Sequence, residues 1–269
     1  MKRIRSATSG QHRPRRHCGR TARSEAKGLV AAALLIFAAG PAVAASLAEA
    51  LAHPDRPAAD LARDARSKPA TILALAGLEA GDVVLDVFAG GGYYSEILAR
   101  TVGPQGKVYL YNNGAYAGFA GEAIDRRLAD DRLPNVERLE LETDDFELPE
   151  GSVDLALAVM SWHDLFWVDE NWPKIDPNDF ARRVLAALAP GGTLLIVDHS
   201  AETGTGYASV NTLHRIEEAW LYRSLTDAGF RLTGQSQALR NGEDDRRLGV
   251  FDEAIRGRTD RFVLRFTAP

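Results

Sequence analysis

Cysteine is almost absent from this chain of 269 residues: Cys18 is the only one. An intramolecular disulfide is therefore excluded, and so is any cysteine-rich zinc or iron–sulfur site. Long apolar runs are also missing. The uninterrupted stretch from Leu29 to Ala39 is well short of the roughly 20 residues a membrane-spanning helix needs, which argues against a many-helix membrane protein. Positive charge is scarce outside the first residues. Positions 1–28 hold nine Lys/Arg and one acid, a net of +8; the rest holds 23 basic and 36 acidic residues, a net of -13. So acidic a body would be repelled by phosphate backbones, and no nucleic-acid partner is expected. No internal repeat and no long linker is present. What remains is ordinary for a globular protein: 45% hydrophobic, 26% charged, with 24 glycines and 12 prolines.

The basic start leads into the apolar run, Gly40-Pro41 breaks it, and Ala42-Val43-Ala44 forms an A-x-A site. Residues 1–44 read as a secretory signal peptide, giving a periplasmic or secreted protein. The alternative is an uncleaved N-terminal anchor in the inner membrane. Membrane contact is expected only through this segment. Cys18 precedes the apolar run and would leave with the signal.

The remainder suffices for one core. Residues 45–68 suggest an arm plus a helix, and 69–269 a single domain. Strand-like and helix-like segments then alternate. Residues 82–90 form a Val-rich buried run, 93–103 an amphipathic helix, 107–113 a strand and 121–133 a helix. Strands follow at 135–143 and 152–162, a helix at 176–192 and a strand at 193–199. A helix at 216–230 and strands at 231–239 and 260–266 complete the chain. This alternation predicts an α/β, doubly wound, mostly parallel seven-stranded sheet. The last strand has no helix before it and is expected to enter antiparallel. In such sheets ligands bind beyond the carboxyl ends of the strands.

The sharpest motif lies at such an end: Asp86-Val87-Phe88-Ala89-Gly90-Gly91-Gly92. A buried strand ends in a carboxylate, and a glycine loop opens a helix at once. Glycines let backbone N–H groups approach a ligand, and a helix start favours an anionic group.

At this point the chain resembles the class I S-adenosylmethionine-dependent methyltransferases. Their first motif, D/E-x-G-x-G-x-G, is matched by Asp86, Gly90 and Gly92, with Phe88 at the first glycine. Leu188-Ala189-Pro190-Gly191-Gly192-Thr193, residues 148–159 and Ala228-Gly229-Phe230 are also similar to that family. More narrowly, the signal, the WHDL stretch and the closing RGRTDRFVLRF look like a group of exported bacterial methyltransferases. The resemblance implies a Rossmann-like fold and S-adenosyl-L-methionine as cofactor. It implies that Asp86, Ala89, Gly90, Gly91 and Gly92 hold the methionine end. It also puts Asn112 at the ribose, where the family has an acid, Asp144 or Asp145 at the adenine, and Ser161 at the end of strand four beside the cofactor.

The same resemblance places Ser161-Trp162-His163-Asp164 opposite the transferable methyl. His163 is the expected base, with Asp164 or His199 as orienting partner. His214 is a third histidine within reach, and the aromatics Trp162, Phe166, Trp167 and Trp172 form a lid or core. No H-E-x-x-H or comparable spacing supports a metal site, and none is expected.

The expected function is methyl transfer to a small molecule. A non-catalytic binding protein on the same scaffold is the alternative, because the cofactor is made in the cytosol. A nicotinamide-dependent oxidoreductase fits less well, since no acid follows strand two. Mass spectrometry of the native protein is expected to find a chain beginning at Ala45; an intact Met1 would refute cleavage.

Overall fold

The computed structural model describes residues 44–170 and 172–269, so the predicted signal segment and Cys18 lie outside the described residues. The chain begins with three helices, α1 (Leu47–Leu51), α2 (Ala58–Ser67) and α3 (Pro69–Ala76). The alternating part follows as β1 (Val83–Val87), α4 (Tyr93–Val102), β2 (Lys107–Asn112), α5 (Gly114–Leu128), β3 (Val136–Glu140) and β4 (Val153–Val159). A 3₁₀ turn at Trp162–Phe166 leads to α6 (Pro177–Ala187) and β5 (Leu188–His199). A short α7 (Val210–Leu213), α8 (Glu218–Asp227), β6 (Arg231–Ser236) and β7 (Arg261–Thr267) complete the fold. No helix among the described residues is long and apolar enough to cross a membrane.

The strands form one seven-stranded sheet in the order β3-β2-β1-β4-β5-β7-β6. Only β7 runs antiparallel, pairing His199 with Arg261 and Thr193 with Thr267 across β5. The expected topology is thus borne out. Two helix limits move. The helix expected at 121–133 begins at Gly114, because Asn113 caps it by accepting from the Tyr116 amide at 2.9 Å. The helix expected to run to 192 stops at Ala187, and the Pro190-Gly191-Gly192 segment enters β5 through a register shift.

Both faces of the sheet are buried, which explains the unbroken apolar strands. Val84, Leu155, Leu157, Leu195 and Val197 face the layer that holds α3 and α4. Their neighbours Leu85, Ala156, Ala158, Leu194 and Ile196 face α6 and α8. Proline at its first position and the left-handed Gly77 at its end bound α3.

Buried charge ties the N-terminal helices to this core. Glu96 is fully buried in α4, and its carboxylate accepts from Arg100 at 2.9 Å, from Arg132 at 2.6 Å and from Arg127. Arg127 also reaches Asp60 of α2 at 2.8 Å. Arg56 grips Asp64 through two bonds, and Tyr93 donates its hydroxyl to the same carboxylate at 2.6 Å. Breaking a buried charge network leaves uncompensated charges. Glu96→Gln is therefore expected to lower unfolding stability by about 3 kcal/mol in urea titrations; a loss within experimental error would show the network to be dispensable.

Candidate active site

The site grows from a backbone bend. β4 ends at Val159, and Met160 adopts the left-handed conformation at φ 57°, its amide donating to the Val197 carbonyl at 2.7 Å. That bend lays the 3₁₀ turn over the end of β5. Ser161 is buried there and donates its hydroxyl to the Val87 carbonyl at 3.1 Å, joining the tips of β4 and β1.

His163 comes next, and Asp198, fully buried at the end of β5, holds it twice. One carboxylate oxygen accepts from the His163 backbone amide at 2.9 Å. The other lies 2.7 Å from ring Nδ1 and also accepts from the His199 amide. On the far side of the ring, Nε2 is 3.3 Å from an Asp164 oxygen. His214 Nδ1 is 3.6 Å from that same oxygen, and Tyr116 donates its hydroxyl to the other one. His199 stands apart, its Nδ1 2.8 Å from the Thr259 hydroxyl. The orienting partner of His163 is therefore Asp198 first and Asp164 second. His199, expected as an alternative partner, packs with its ring centre 5.9 Å away.

These contacts split the two histidines electrostatically. Burial alone would push His163 down, but Asp198 and Asp164 outweigh it and raise the ring to about 9. It is a cation at neutral pH. Burial pushes His199 well below its ordinary value, helped by the charges of His163, Arg261 and Arg215. It stays neutral. The expected base is thus the proton-loaded ring, and the neutral imidazole is His199.

The cluster opens into a cavity of about 720 Å³ lined by all three histidines, Asp164 and Tyr116. Four arginines, Arg63, Arg66, Arg256 and Arg261, line it as well. Its apolar walls are Phe119, Trp167, Trp172 and Phe251. Of the residues put at the site from sequence, His163, Asp164, His199 and His214 meet here. Among the described residues, His163, Asp164 and His214 form the one group whose donor atoms converge within 4.8 Å, a spacing that would suit a metal ion. Three hydrogen-bonding groups sharing one carboxylate produce the same convergence.

None of the residues expected to hold a cofactor is among those lining the cavity, and several are engaged elsewhere. Asp86 is sealed beneath the glycine loop and accepts from the Ser95 hydroxyl at 2.6 Å. Burial raises it to about 7 against that bond and against the charges of Arg63 and Arg127. Its bond to Ser95 ties the end of β1 to the first turn of α4. Asn112, expected at the ribose, is fully buried and spends both ends of its amide on Gly90: the Gly90 amide donates at 3.0 Å and the Gly90 carbonyl accepts at 3.1 Å. Gly91 accepts from Arg127 at 2.6 Å, and the Gly92 amide donates to the Ala89 carbonyl at 3.1 Å. Asp144 and Asp145 are exposed, while Phe146 turns into the core against Tyr111 and Phe180.

Phe88 explains much of this arrangement. Its own backbone is left-handed, at φ 49°. Its ring stacks on Tyr116 at 4.9 Å and 8°, with Tyr111 and Phe180 on its other sides. Tyr116 also lines the cavity, so the stack connects the start of the glycine loop to the cavity wall. Sequence reading missed Tyr116, because residues 114–120 gave no clear helical period. It also assigned no role to the four arginines: Arg63 and Arg66 lie in the arm, and Arg256 and Arg261 in the closing RGRTDRFVLRF, which was read only as a mark of resemblance.

With this geometry in view, comparison with known proteins is informative. No family model matches the chain. A ubiquinone/menaquinone biosynthesis C-methyltransferase, UbiE of Pseudomonas putida, is 25% identical over 168 residues, 62% of this chain and 58% of that protein. The chain thus spans less than two thirds of the curated relatives it matches. A SAM-dependent methyltransferase from Aquifex aeolicus superposes with TM-score 0.53 at 24% identity, covering 75% of this chain and 89% of the other. Geranyl diphosphate C-methyltransferase from Streptomyces coelicolor A3(2), solved with S-adenosyl-L-homocysteine, gives 0.52 at 14% identity over 82% and 84%. The fold is that of the class I S-adenosylmethionine-dependent methyltransferases, and the curated relatives are methyltransferases, as the sequence motifs led us to expect.

Asp86 offers a test of the buried loop. A carboxyl raised on folding favours its protonated form, so the folded state loses stability as pH climbs from 3.8 towards about 7. Asp86→Asn removes that dependence. The melting temperature of the variant relative to the natural protein is expected to rise between pH 4 and pH 8; a constant difference would mean that Asp86 is already ionised when folded.

Proposed function

We propose that this protein transfers the methyl group of S-adenosylmethionine to a small molecule held in the histidine-lined cavity. The observation that carries the reading is the placement of that cavity at the tips of β4 and β5, bordered by the turn after β4, with Tyr116 of its wall stacked on Phe88 at the start of the glycine loop. The residues fit the cofactor on two observations. A side chain built at Gly90 would meet nothing within 4 Å, so space lies over the loop. Tyr111 Oη and Asn113 Nδ2, at the end of β2, are buried without a hydrogen-bond partner. Ala89, Gly90 and Gly91 would hold the methionine end, and Tyr111 and Asn113 the nucleoside. Bound there, the cofactor supplies a methyl already activated by its sulfonium.

The chain's own residues do the rest. Asp198 fixes His163, and the imidazolium keeps Asp164 ionised; the direction on Asp164 is downward despite its burial, through His163, His214 and Tyr116. Asp164 accepts from an acceptor hydroxyl or amine and aligns it. As the methyl reaches a hydroxyl oxygen its proton becomes strongly acidic, and His199, neutral and weakly basic, takes it at its Nε2.

The specific departure is the Phe88–Tyr116 stack together with the fully used amide of Asn112. It favours a second reading, a binding protein on a methyltransferase scaffold. Titration calorimetry and a methyl-transfer assay separate the two. Saturable binding of S-adenosylmethionine with turnover supports the enzyme; no binding at millimolar concentration rejects it. Within the enzyme, His199→Gln is expected to lower kcat about a hundredfold while leaving cofactor affinity intact. The rate should hold through neutral pH and fall as His163 loses its proton near pH 9. An alkaline limb unchanged in Asp198→Asn would contradict this assignment.

We propose further that residues 1–44 direct export, as the basic start, the apolar run and the A-x-A site suggest.

A further inference from the structure

We propose that the cavity takes a small organic anion, a carboxylate or phosphate carried on a flat apolar body, and that Arg66, Arg256 and Arg261 bind its charge. The inference rests on the cavity described above, and it names the chemical class of the acceptor.

The starting point is an imbalance. Four arginines line the cavity, and Asp164 is its only acid. Asp164 is already shared by His163, His214 and Tyr116. The body of the chain is strongly acidic, yet none of these four arginines makes an ion pair among the described residues. Arg261 is the telling member. It is 7% exposed, its Nε has no partner, and its two other nitrogens reach only the Arg66 carbonyl at 2.7 Å and the Met160 sulfur at 4.0 Å. Burial and the nearby charges of Arg63 and Arg66 both act against its protonated form. Asp260 favours that form from nearby, and a guanidinium keeps its charge under such conditions, so the cluster gives the cavity wall a positive field that faces the single carboxylate of Asp164 there.

The backbone is shaped to keep the arginines together. Arg261 sits opposite His199 where β7 enters the sheet, so its position is fixed by the strand register. Gly257, at φ 74°, lets the stem of Arg66 pass close: a side chain there would come within 3.3 Å of Arg66 Cδ. Arg63 is held differently. It lies 4.0 Å over the Tyr93 ring and donates to Ser67, towards the glycine-loop side. It is therefore left out of the proposed anion site.

The rest of the wall sets the remainder of the ligand. Phe119 and Phe251 are large apolar side chains 68% and 62% exposed at this cavity, an unusual exposure that a flat ligand would cover. Planar forks meet carboxylate and phosphate oxygens in pairs, which a neutral ligand cannot exploit. A flat acid would place its charge on the arginines and its other end near Asp164 and His199.

Binding is to be measured by Trp fluorescence and calorimetry on the full chain, with S-adenosylhomocysteine present and absent. The probes are 4-hydroxybenzoate, phenyl phosphate, the neutral methyl ester of 4-hydroxybenzoate, and inorganic phosphate. One or both aromatic anions should bind at least about tenfold tighter than the ester, and their ranking tells carboxylate from phosphate. Arg66→Gln and Arg256→Gln, both at exposed positions, should each weaken that binding about tenfold and leave S-adenosylmethionine affinity unchanged. Arg231→Gln, on β6, is the control. The proposal is overturned if the ester binds as well as the acids, if inorganic phosphate alone matches them, or if no probe binds at millimolar concentration. It is also overturned if the arginine substitutions weaken S-adenosylmethionine instead, since the cluster would then serve the cofactor's own carboxylate. Arginine-dependent anion binding without any binding of S-adenosylmethionine would reject methyl transfer and keep the anion site.

Discussion

The hydrogen bond between Asp198 and His163 is the contact on which the rest of this site depends. It joins the tips of β5 and β4 through a fully buried carboxylate that also holds two backbone amides. A buried charge of this kind is tolerated only when paired and fully hydrogen-bonded. His163 supplies the pairing by carrying a proton. The consequence runs outward: a protonated His163 stabilises Asp164 as an anion, Asp164 fixes the Tyr116 hydroxyl, and the Tyr116 ring rests on Phe88 at the glycine loop. One chain of contacts therefore spans the sheet from the loop to the arginines beside His199.

That chain explains why the two histidines differ although they sit at neighbouring strand ends. Their ring centres are 5.9 Å apart, yet His163 faces two carboxylates while His199 faces a threonine hydroxyl and cationic neighbours. Paired groups pushed in opposite directions are a recurring arrangement where protons move. In the proposed reaction the proton-accepting role passes from His163, the natural choice in a WHDL stretch, to His199.

The fold was legible because its determinants are local. Val-rich runs buried on both faces, a proline and glycines at helix limits, and alternation of strand and helix leave few topologies. The glycine loop and the strand-end histidines were legible for the same reason: topology alone puts them at one edge of the sheet. Side-chain partners were not. Asp86 and Asn112 occupy the expected positions, but one is spent on Ser95 and the other on Gly90. Tyr116 and the arginines were hidden because their roles come from contacts across long separations, such as Arg261 with Arg66. No periodic pattern reports such pairs.

The central claim is spatial: a cofactor on the glycine loop, presented to a cavity that His199 and Asp164 line. A crystal structure of the protein soaked with S-adenosylhomocysteine tests it most directly. The account predicts the amino-acid end of the ligand on Ala89 to Gly91 and its nucleoside at Tyr111 and Asn113, with the sulfur at the mouth of the cavity facing Asp164. A structure obtained at saturating ligand with the loop bare and Phe88 still closed against Tyr116 would contradict it.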